Sequence, residues 1–316
     1  MSAAVKLERL SKRFGRTEAL KDVTLEVPEG SIYALVGANG AGKTTLIKLL
    51  MNILRPSEGQ AEVLGMASEQ LAGRALDRIG YVSENQEHPE WMTVRQMLDY
   101  LRPFYPKWDR ALEAYLVDQF DLPLDRKIRH LSRGMRMKAA MAGALAFRPP
   151  LLVLDEPFSG LDPLVRDELI EGLLDRAQET TILLSSHDLS EIESFSTHVG
   201  FLEQGRVLFS EELPALAERF REVTVTLMVA TENRAPLPEW LQYEQSDAVV
   251  RFVHRDWRGS QSVTGVQTVF PGARDVTAEP MTLRSIFLAI ARAERSERPE
   301  RGERPARPAS EERSRA

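Results

Sequence analysis

The chain has 316 residues, which is enough for one large or two modest domains with a substantial core. Its formal net charge of -6, from 41 basic and 47 acidic residues, gives no support for a nucleic-acid partner, since such proteins usually carry a basic domain or stripe. The chain contains no cysteine, which excludes a disulfide framework and thiolate metal sites and is compatible with a reducing compartment.

Two segments near the N-terminus, residues 5–10 and 23–27, alternate apolar and polar residues as half-exposed antiparallel strands do. Phe14 lies between them. Its ring could stack on a nucleobase or could be a small hydrophobic plug. We favour stacking because of its position relative to the loop that follows.

Residues 31–36 form an apolar run that predicts a buried strand, and residues 46–51 have helical spacing. The segment between them fits the pattern G-x-x-x-x-G-K-[ST] of a phosphate-binding loop. Its backbone N–H groups would surround a β-phosphate at a helix N-terminus, Lys43 would add a positive charge, and Thr44 would offer its hydroxyl to Mg²⁺. A plain glycine-rich turn is disfavoured because residue types and context agree. The predicted nucleotide contacts are Gly37, Asn39, Gly40, Ala41, Gly42, Lys43, Thr44 and Thr45.

A short edge strand is predicted over residues 60–65 and another strand over 78–83. The second ends in three polar residues, Glu84, Asn85 and Gln86. Such a polar strand end could meet Mg²⁺ or water, or it could equally be a solvated loop.

Helical spacing then predominates over residues 91–147. Thr93 opens a first helix, a second covers residues 111–120, and Ser132 is a plausible N-cap of a third. We expect a helical subdomain, at about residues 88–148, inserted into the nucleotide-binding sheet.

The apolar residues 151–154 predict a central parallel strand that is covered on both faces, and Asp155 and Glu156 follow it directly. Open α/β sheets bind ligands at this end of their strands. Asp155 is suited to order Mg²⁺ or its waters, and Glu156 to polarise an attacking water. An acidic pair could also be only a helix cap, but the apolar strand and the phosphate-binding loop favour a metal ligand and a base.

Residues 163–178 predict a helix, and residues 181–186 a strand that ends in His187. A lone histidine is more often structural than catalytic. This one ends an apolar strand at the same edge as Asp155 and Glu156, so we favour a hydrogen bond to a γ-phosphate oxygen.

The remainder predicts a closing hairpin, three further strands and an amphipathic helix, at residues 199–209, 223–229, 248–253, 267–270 and 283–291. We expect an ATPase-type domain over residues 1–218 and a small α+β accessory domain over 219–291 with an interaction role. Residues 292–316 alternate Arg, Glu, Pro and Ser, so this tail should be disordered.

Together these motifs resemble the nucleotide-binding subunit of ATP-binding cassette (ABC) transporters, over residues 5–210. Residues 37–45 look like its Walker A motif, 151–156 like Walker B, 159–162 like the D-loop, His187 like the switch histidine and Phe14 like the base-stacking aromatic. Residues 131–135, which we call the signature segment, stand where Leu-Ser-Gly-Gly-Gln belongs. The resemblance implies an α/β cassette fold, ATP and Mg²⁺, and a head-to-tail dimer.

In that dimer, Ser132 and Gly134 of one subunit complete the γ-phosphate site of the other, with Asp162 in the D-loop. The sequence departs from the family at Glu84, in place of the Q-loop glutamine, and at Arg133 and Met135 in the signature segment. Arg133 either binds the second subunit's γ-phosphate, which we favour, or points to solvent, or pairs with an acidic residue of the partner subunit. Glu84 is a candidate for nucleotide and metal contacts.

Residues 80–108 are similar to bacterial type-2 ABC exporters, whose ATPase pairs with separate membrane subunits. We therefore expect an ATPase that drives export through integral membrane permease subunits, as a homo- or heterodimer, without nucleic acid. No stretch approaches the ~18–20 apolar residues of a membrane span, so we expect a cytoplasmic protein, peripheral on the inner face of the membrane. The alternatives are a soluble ABC ATPase acting on ribosomes or DNA, and a regulatory subunit that does not hydrolyse ATP.

Overall fold

The computed structural model describes residues 2–84, 88–177, 179–229 and 236–296. Its strands are β1 (Ala3–Phe14), β2 (Thr17–Pro28), β3 (Ile32–Val36), β4 (Glu58–Val63), β5 (Met66–Ala67), β6 (Ile79–Ser83), β7 (Leu151–Asp155), β8 (Thr181–Ser186), β9 (His198–Glu203), β10 (Arg206–Glu212), β11 (Arg221–Leu227), β12 (Trp240–Ser246), β13 (Val249–His254) and β14 (Ala273–Pro280). Its α-helices are α1 (Lys43–Leu50), α2 (Val94–Leu101), α3 (Arg110–Gln119), α4 (Arg133–Leu145), α5 (Pro163–Leu174), α6 (Leu189–Ile192), α7 (Leu213–Arg219), α8 (Ser260–Val269) and α9 (Leu283–Ser296).

The central sheet has the order β10-β9-β3-β8-β7-β6. Its inner strands β3, β7 and β8 are buried at every residue, and they pair in parallel. Apolar runs of this kind form parallel strands that are covered on both faces. β10 pairs with β9 in antiparallel orientation, which confirms the predicted closing hairpin.

A second, antiparallel sheet packs beside it with the order β2-β1-β4-β5. The two alternating N-terminal segments pair as predicted. The strand predicted over residues 60–65 is present as β4. Its predicted position at the edge of the sheet is wrong, because β4 lies between β1 and the two-residue strand β5. Gly65, with φ of 75°, reverses the chain and lets that short strand pair.

The helices α2, α3 and α4 lie between β6 and β7 in the chain. Thr93 caps α2 with a complete capping box, and Ser132 caps α4 by accepting a hydrogen bond from the Met135 N–H at 3.2 Å. Both caps agree with the predicted helix starts. The helix expected over residues 163–178 ends earlier, at Leu174, and Gln178 lies outside the described residues.

The C-terminal part forms a third, antiparallel sheet with the order β12-β13-β11-β14. The strand predicted over residues 267–270 is wrong, because these residues belong largely to α8. Val263, Val266 and Val269 recur every third residue along that helix and Val266 is buried, so helical packing overrides the local β-propensity of valine and threonine. The strands β12 and β14 were not predicted.

Helix α9 packs back onto the cassette. Leu283 and Ile286 are buried in the same apolar cluster as Phe201 on β9, and the Phe287 ring meets Phe201 edge to face with centroids 3.7 Å apart. The backbone N–H of Leu283 donates to Oε1 of Glu193 at 3.1 Å. The helix continues to Ser296, past the expected start of the tail at residue 292, because Arg, Ala and Glu are good helix formers. Residues 297–316, the rest of the expected tail, lie outside the described residues.

Candidate functional site

The carboxyl ends of four parallel strands, β3, β6, β7 and β8, meet at one side of the central sheet, which we call the carboxyl edge. The strand registers fix this arrangement: Val36 pairs with Ser186, and Asp155 pairs with both Ser185 and Ser83. The residues that follow these strands therefore come together, as they do at ligand sites of open α/β sheets.

The phosphate-binding loop joins β3 to α1, and two of its glycines are required by packing. A Cβ on Gly37 would lie 2.2 Å from the carbonyl oxygen of Leu202. Gly42, with φ of 114°, caps α1, and a Cβ there would lie 2.8 Å from the carbonyl oxygen of Ala19. Neither position can carry a side chain without a shift of the backbone, so the loop can bring its N–H groups close to an anion at the helix N-terminus.

Lys43 is the first residue of α1 and is only 5% exposed. Its Nζ donates to the carbonyl oxygens of Gly37 at 2.5 Å and Ala38 at 3.3 Å, and lies 3.0 Å from Oε1 of Glu156. The amine therefore lies inside the loop and is neutralised by a buried carboxylate, as a buried charge requires.

Asp155 ends β7 and accepts two hydroxyl hydrogen bonds on Oδ1, from Thr44 at 3.1 Å and from Ser185 at 2.7 Å. Burial raises the pKa of this carboxyl group above its ordinary value, and the charge of Glu156 acts in the same direction. The two hydroxyl hydrogen bonds act in the opposite direction because they stabilise the ionised form.

Glu156 adopts a left-handed backbone conformation with φ of 51°, which is uncommon for a residue with a side chain. Its carboxylate joins two candidate residues, because Oε1 faces Lys43 and Oε2 lies 2.8 Å from Nδ1 of His187. An ionised carboxylate only accepts, so this contact places a proton on Nδ1. Such backbone outliers, which cost about 1–3 kcal/mol, concentrate at functional sites.

Ser185 was missed by the sequence reasoning. It is fully buried on β8, where its Oγ accepts from the backbone N–H of Glu156 at 2.9 Å and donates to Asp155. One hydroxyl therefore fixes both carboxylate-bearing residues. The strand register, which pairs Ser185 with Asp155, was the feature that could have identified it.

The signature segment opens α4, away from the contacts of Lys43. Ser132 is exposed at the N-cap, and Gly134 is buried, where a Cβ would lie 2.7 Å from Cγ1 of Val165. Arg133 donates from Nη2 to Oε1 of Glu84 at 3.0 Å. The structure thus brings two of the three residues that depart from the family pattern into contact. The predicted contacts of Glu84 with Mg²⁺ and of Arg133 with a phosphate stay predictions. Asn85 and Gln86 lie outside the described residues.

The remaining candidates lie around these groups. Phe14 is 47% exposed at the turn between β1 and β2, with Nζ of Lys12 5.0 Å from its ring centroid. Asp162 caps α5 by accepting from the N–H of Leu164 at 3.0 Å. Asn39 and Gly40 are exposed in the loop, Ala41 is buried, and Thr45 is partly buried in α1.

The donor set beside Asp155 suits Mg²⁺. In the part of the chain that the structure describes, no group of three or more His, Cys, Asp or Glu side chains could hold a metal. Mg²⁺ prefers hard oxygen donors and is commonly held by one or two protein groups together with substrate phosphates. The Thr44 hydroxyl and the Asp155 carboxylate, which are in contact at 3.1 Å, are donors of that kind beside a phosphate-binding loop.

The fold and this edge define a phosphate-loop nucleotide-binding protein. The family profile described as ABC transporter matches residues 20–159. The ABC transporter ATP-binding protein YtrB of Bacillus subtilis is 31% identical over 221 residues, which cover 69% of this chain and 75% of that protein. The daunorubicin resistance ATP-binding protein DrrA2 of Streptomyces coeruleorubidus is 34% identical over 241 residues, 74% of each chain.

A solved structure of the ATP-binding subunit of an ABC transporter superposes with a TM-score of 0.62 and 30% identity, covering 67% of this chain and 91% of that one. The chain belongs to the ABC transporter family as an ATP-binding subunit, and its cassette hydrolyses ATP for transport. No helix among the described residues has the length and apolarity needed to cross a bilayer.

Proposed function

We propose that this ATPase drives export through separate membrane subunits. The single observation that carries the hydrolytic mechanism is the carboxylate of Glu156, held between Lys43 and His187 at the end of β7. The direction of transport is supported by the likeness to DrrA2, whose name associates that protein with daunorubicin resistance.

The roles at the carboxyl edge follow from charge and reach. Lys43 and the loop N–H groups would bind the β- and γ-phosphates, while Glu156 orients and polarises the attacking water. His187 would hold the Glu156 carboxylate through its Nδ1–H, and it would donate from Nε2 to a γ-phosphate oxygen when both ring nitrogens carry a proton. Thr44 and Asp155 would hold Mg²⁺, which when bound offsets charge on the phosphates.

Lys43 and Glu156 neutralise each other in this structure, and ATP changes that balance. The phosphates would attract the ammonium group of Lys43, so the carboxylate becomes available to the water that attacks the γ-phosphate. His187 remains hydrogen bonded to the other carboxylate oxygen, which keeps Glu156 in position. The nucleotide itself would thus release the base it needs.

A second cassette would complete the site. The exposed Ser132 and the backbone at Gly134 lie at the N-terminus of α4, where N–H groups favour an anion, and Asp162 precedes α5 beside them. We propose that they face the nucleotide bound to the other cassette, and that Phe14 stacks on the base of the nucleotide in its own. The ATPase unit comprises residues 1–218, with the helical subdomain at about 88–148, and residues 219–291 form an accessory domain.

The test is reconstitution with a multi-span membrane protein, to be sought among the reading frames that neighbour the gene for this chain. We expect this chain to sediment with vesicles only when that protein is present, and phosphate release to rise in the complex. Lys43→Ala serves as the inactive control. Sedimentation with ribosomes or DNA and no association with vesicles would contradict the proposal, as would a complex that binds ATP without releasing phosphate.

A further inference from the structure

We propose that Glu84 and Arg133 act as one positioning pair, which holds the signature segment at the carboxyl edge and sets the rate of ATP turnover. Each charge would be useful only with the other. The inference rests on the proposed roles of Ser132 and Gly134, and it gives two of the three departures from the family pattern a common explanation.

The pair connects two separate parts of the site. Glu84 directly follows β6, whose last residue, Ser83, is in register with Asp155. Arg133 is the first residue of α4, directly after the N-cap Ser132. The 3.0 Å contact between Nη2 and Oε1 therefore links the strand edge that carries Asp155 to the helix start that carries the signature segment.

The same guanidinium group also lies against the loop before α5. A Cβ built on Gly160 would lie 3.2 Å from Nη1 of Arg133, and Gly160 has φ of 64°. On the other side of the helix start, Gly134 packs against Val165 of α5. The first turn of α4 is thus held by α5 behind it and by Glu84 in front.

Electrostatics explain why the two residues depend on each other. A cation in the first turn of a helix is opposed by the helix dipole, and α4 has no acidic residue in that turn. Glu84 supplies the missing negative charge from outside the helix. The side chains of Arg133 and Glu84 are 51% and 35% exposed, and pairs with this exposure contribute little to global stability. The consequence should therefore appear in turnover and not in unfolding.

The test is a double-mutant cycle on the full chain in its complex with the membrane subunits. The variants are Glu84→Gln, Arg133→Gln and the double substitution. We expect each single variant to lower kcat by about 2- to 150-fold, the span that typical coupling between contacting residues gives. The KM for ATP should change less than twofold, and the double variant should lose no more than either single variant.

Two further measurements separate this proposal from its rivals. The Mg²⁺ concentration for half-maximal activity should be the same in all four proteins, and the melting temperature should not change. The matched control is Arg95→Gln, which breaks an ion pair with Asp125 in the helical part and should leave kcat unchanged; the Arg95 side chain is 55% exposed, close to the 51% of Arg133.

Losses that multiply in the double variant would overturn the proposal, because they would mean that Arg133 and Glu84 act on different targets. A shift of the Mg²⁺ dependence in Glu84→Gln alone would also overturn it, by making Glu84 a metal ligand. If the parent complex itself releases no phosphate, that result contradicts the proposed function and does not contradict the pairing of Glu84 with Arg133.

Discussion

Replacing Glu156 with Gln is the sharpest perturbation of the catalytic assignment. The substitution keeps the size of the side chain and its left-handed backbone position, but it removes the charge that faces both Lys43 and His187. A neutral amide cannot take up a proton from water and orients it poorly. We expect ATP to bind while hydrolysis is lost, so that the variant accumulates in the ATP-bound, dimeric form.

The size of the effect follows from the contacts. Removing a general base typically costs about 10²- to 10⁴-fold in rate, which is ~2.7–5.5 kcal/mol of activation free energy. Without nucleotide, Lys43 keeps the carbonyl oxygens of Gly37 and Ala38 but loses its only described anionic partner. We therefore expect the nucleotide-free variant to lose about 1–3 kcal/mol of stability. ATP should restore it, because phosphates replace the carboxylate.

The assay combines phosphate release under single-turnover conditions with calorimetric ATP binding and thermal unfolding with and without ATP. The control is Glu168→Gln, which removes the carboxylate partner of another mostly buried lysine, Lys138, at 2.5 Å. It should destabilise the protein without a comparable loss of turnover. Hydrolysis by Glu156→Gln at the parent rate would show that another group handles the water.

Four further predictions test other parts of the molecule. Lys43→Ala should weaken ATP binding by about 10- to 150-fold, the equivalent of a lost charge-assisted hydrogen bond, and unchanged affinity in calorimetry would remove Lys43 from the site. Burial raises the pKa of Asp155, so its ionisation costs stability, and the parent protein should lose stability as the pH rises through that raised pKa. In urea titrations without Mg²⁺, the stability of Asp155→Asn should not show this loss with rising pH, and its Mg²⁺-dependent turnover should fail. If the stability of the variant depends on pH as that of the parent does, the argument is wrong. Ile286→Ala, at a buried position of α9, should cost about 2–5 kcal/mol in chemical denaturation. Truncation after Ser296 should change neither stability nor turnover, and a loss in the truncated protein would show that the tail packs on the cassette.

The cassette could be predicted largely because local patterns and tertiary structure agree there. Residues 151–154 are apolar throughout, and the strand they form is buried on both faces. Thr93 and Ser132 carry cap chemistry, and both helices start where these caps place them. A fold can be predicted from a sequence where the local preference of each segment agrees with its environment in the folded protein.

The C-terminal part was harder because its patterns are weak. β14 contributes only small apolar side chains to the apolar cluster of its sheet, namely Ala273, Val276 and Ala278, and charged residues lie between them. The alternation of apolar and polar residues that predicts a strand is therefore weak. In β12 a register shift between Leu241 and Glu244 breaks the alternation. Short segments rich in valine and threonine predict strands, as at residues 267–270. These residues are helical because the whole of α8 packs through its apolar side.

The site shows which kinds of contact a sequence can and cannot reveal. Asp155, Glu156 and His187 each follow an apolar strand, so their convergence follows from the rule that parallel strands end at one edge. The pairing of Glu84 with Arg133 follows from no such rule, because 49 positions separate them and a helical segment intervenes. Each residue alone looks like a defect in a motif. Only the three-dimensional contact shows that the glutamate in place of the glutamine and the added arginine meet, and it is this contact that makes their mutual dependence testable.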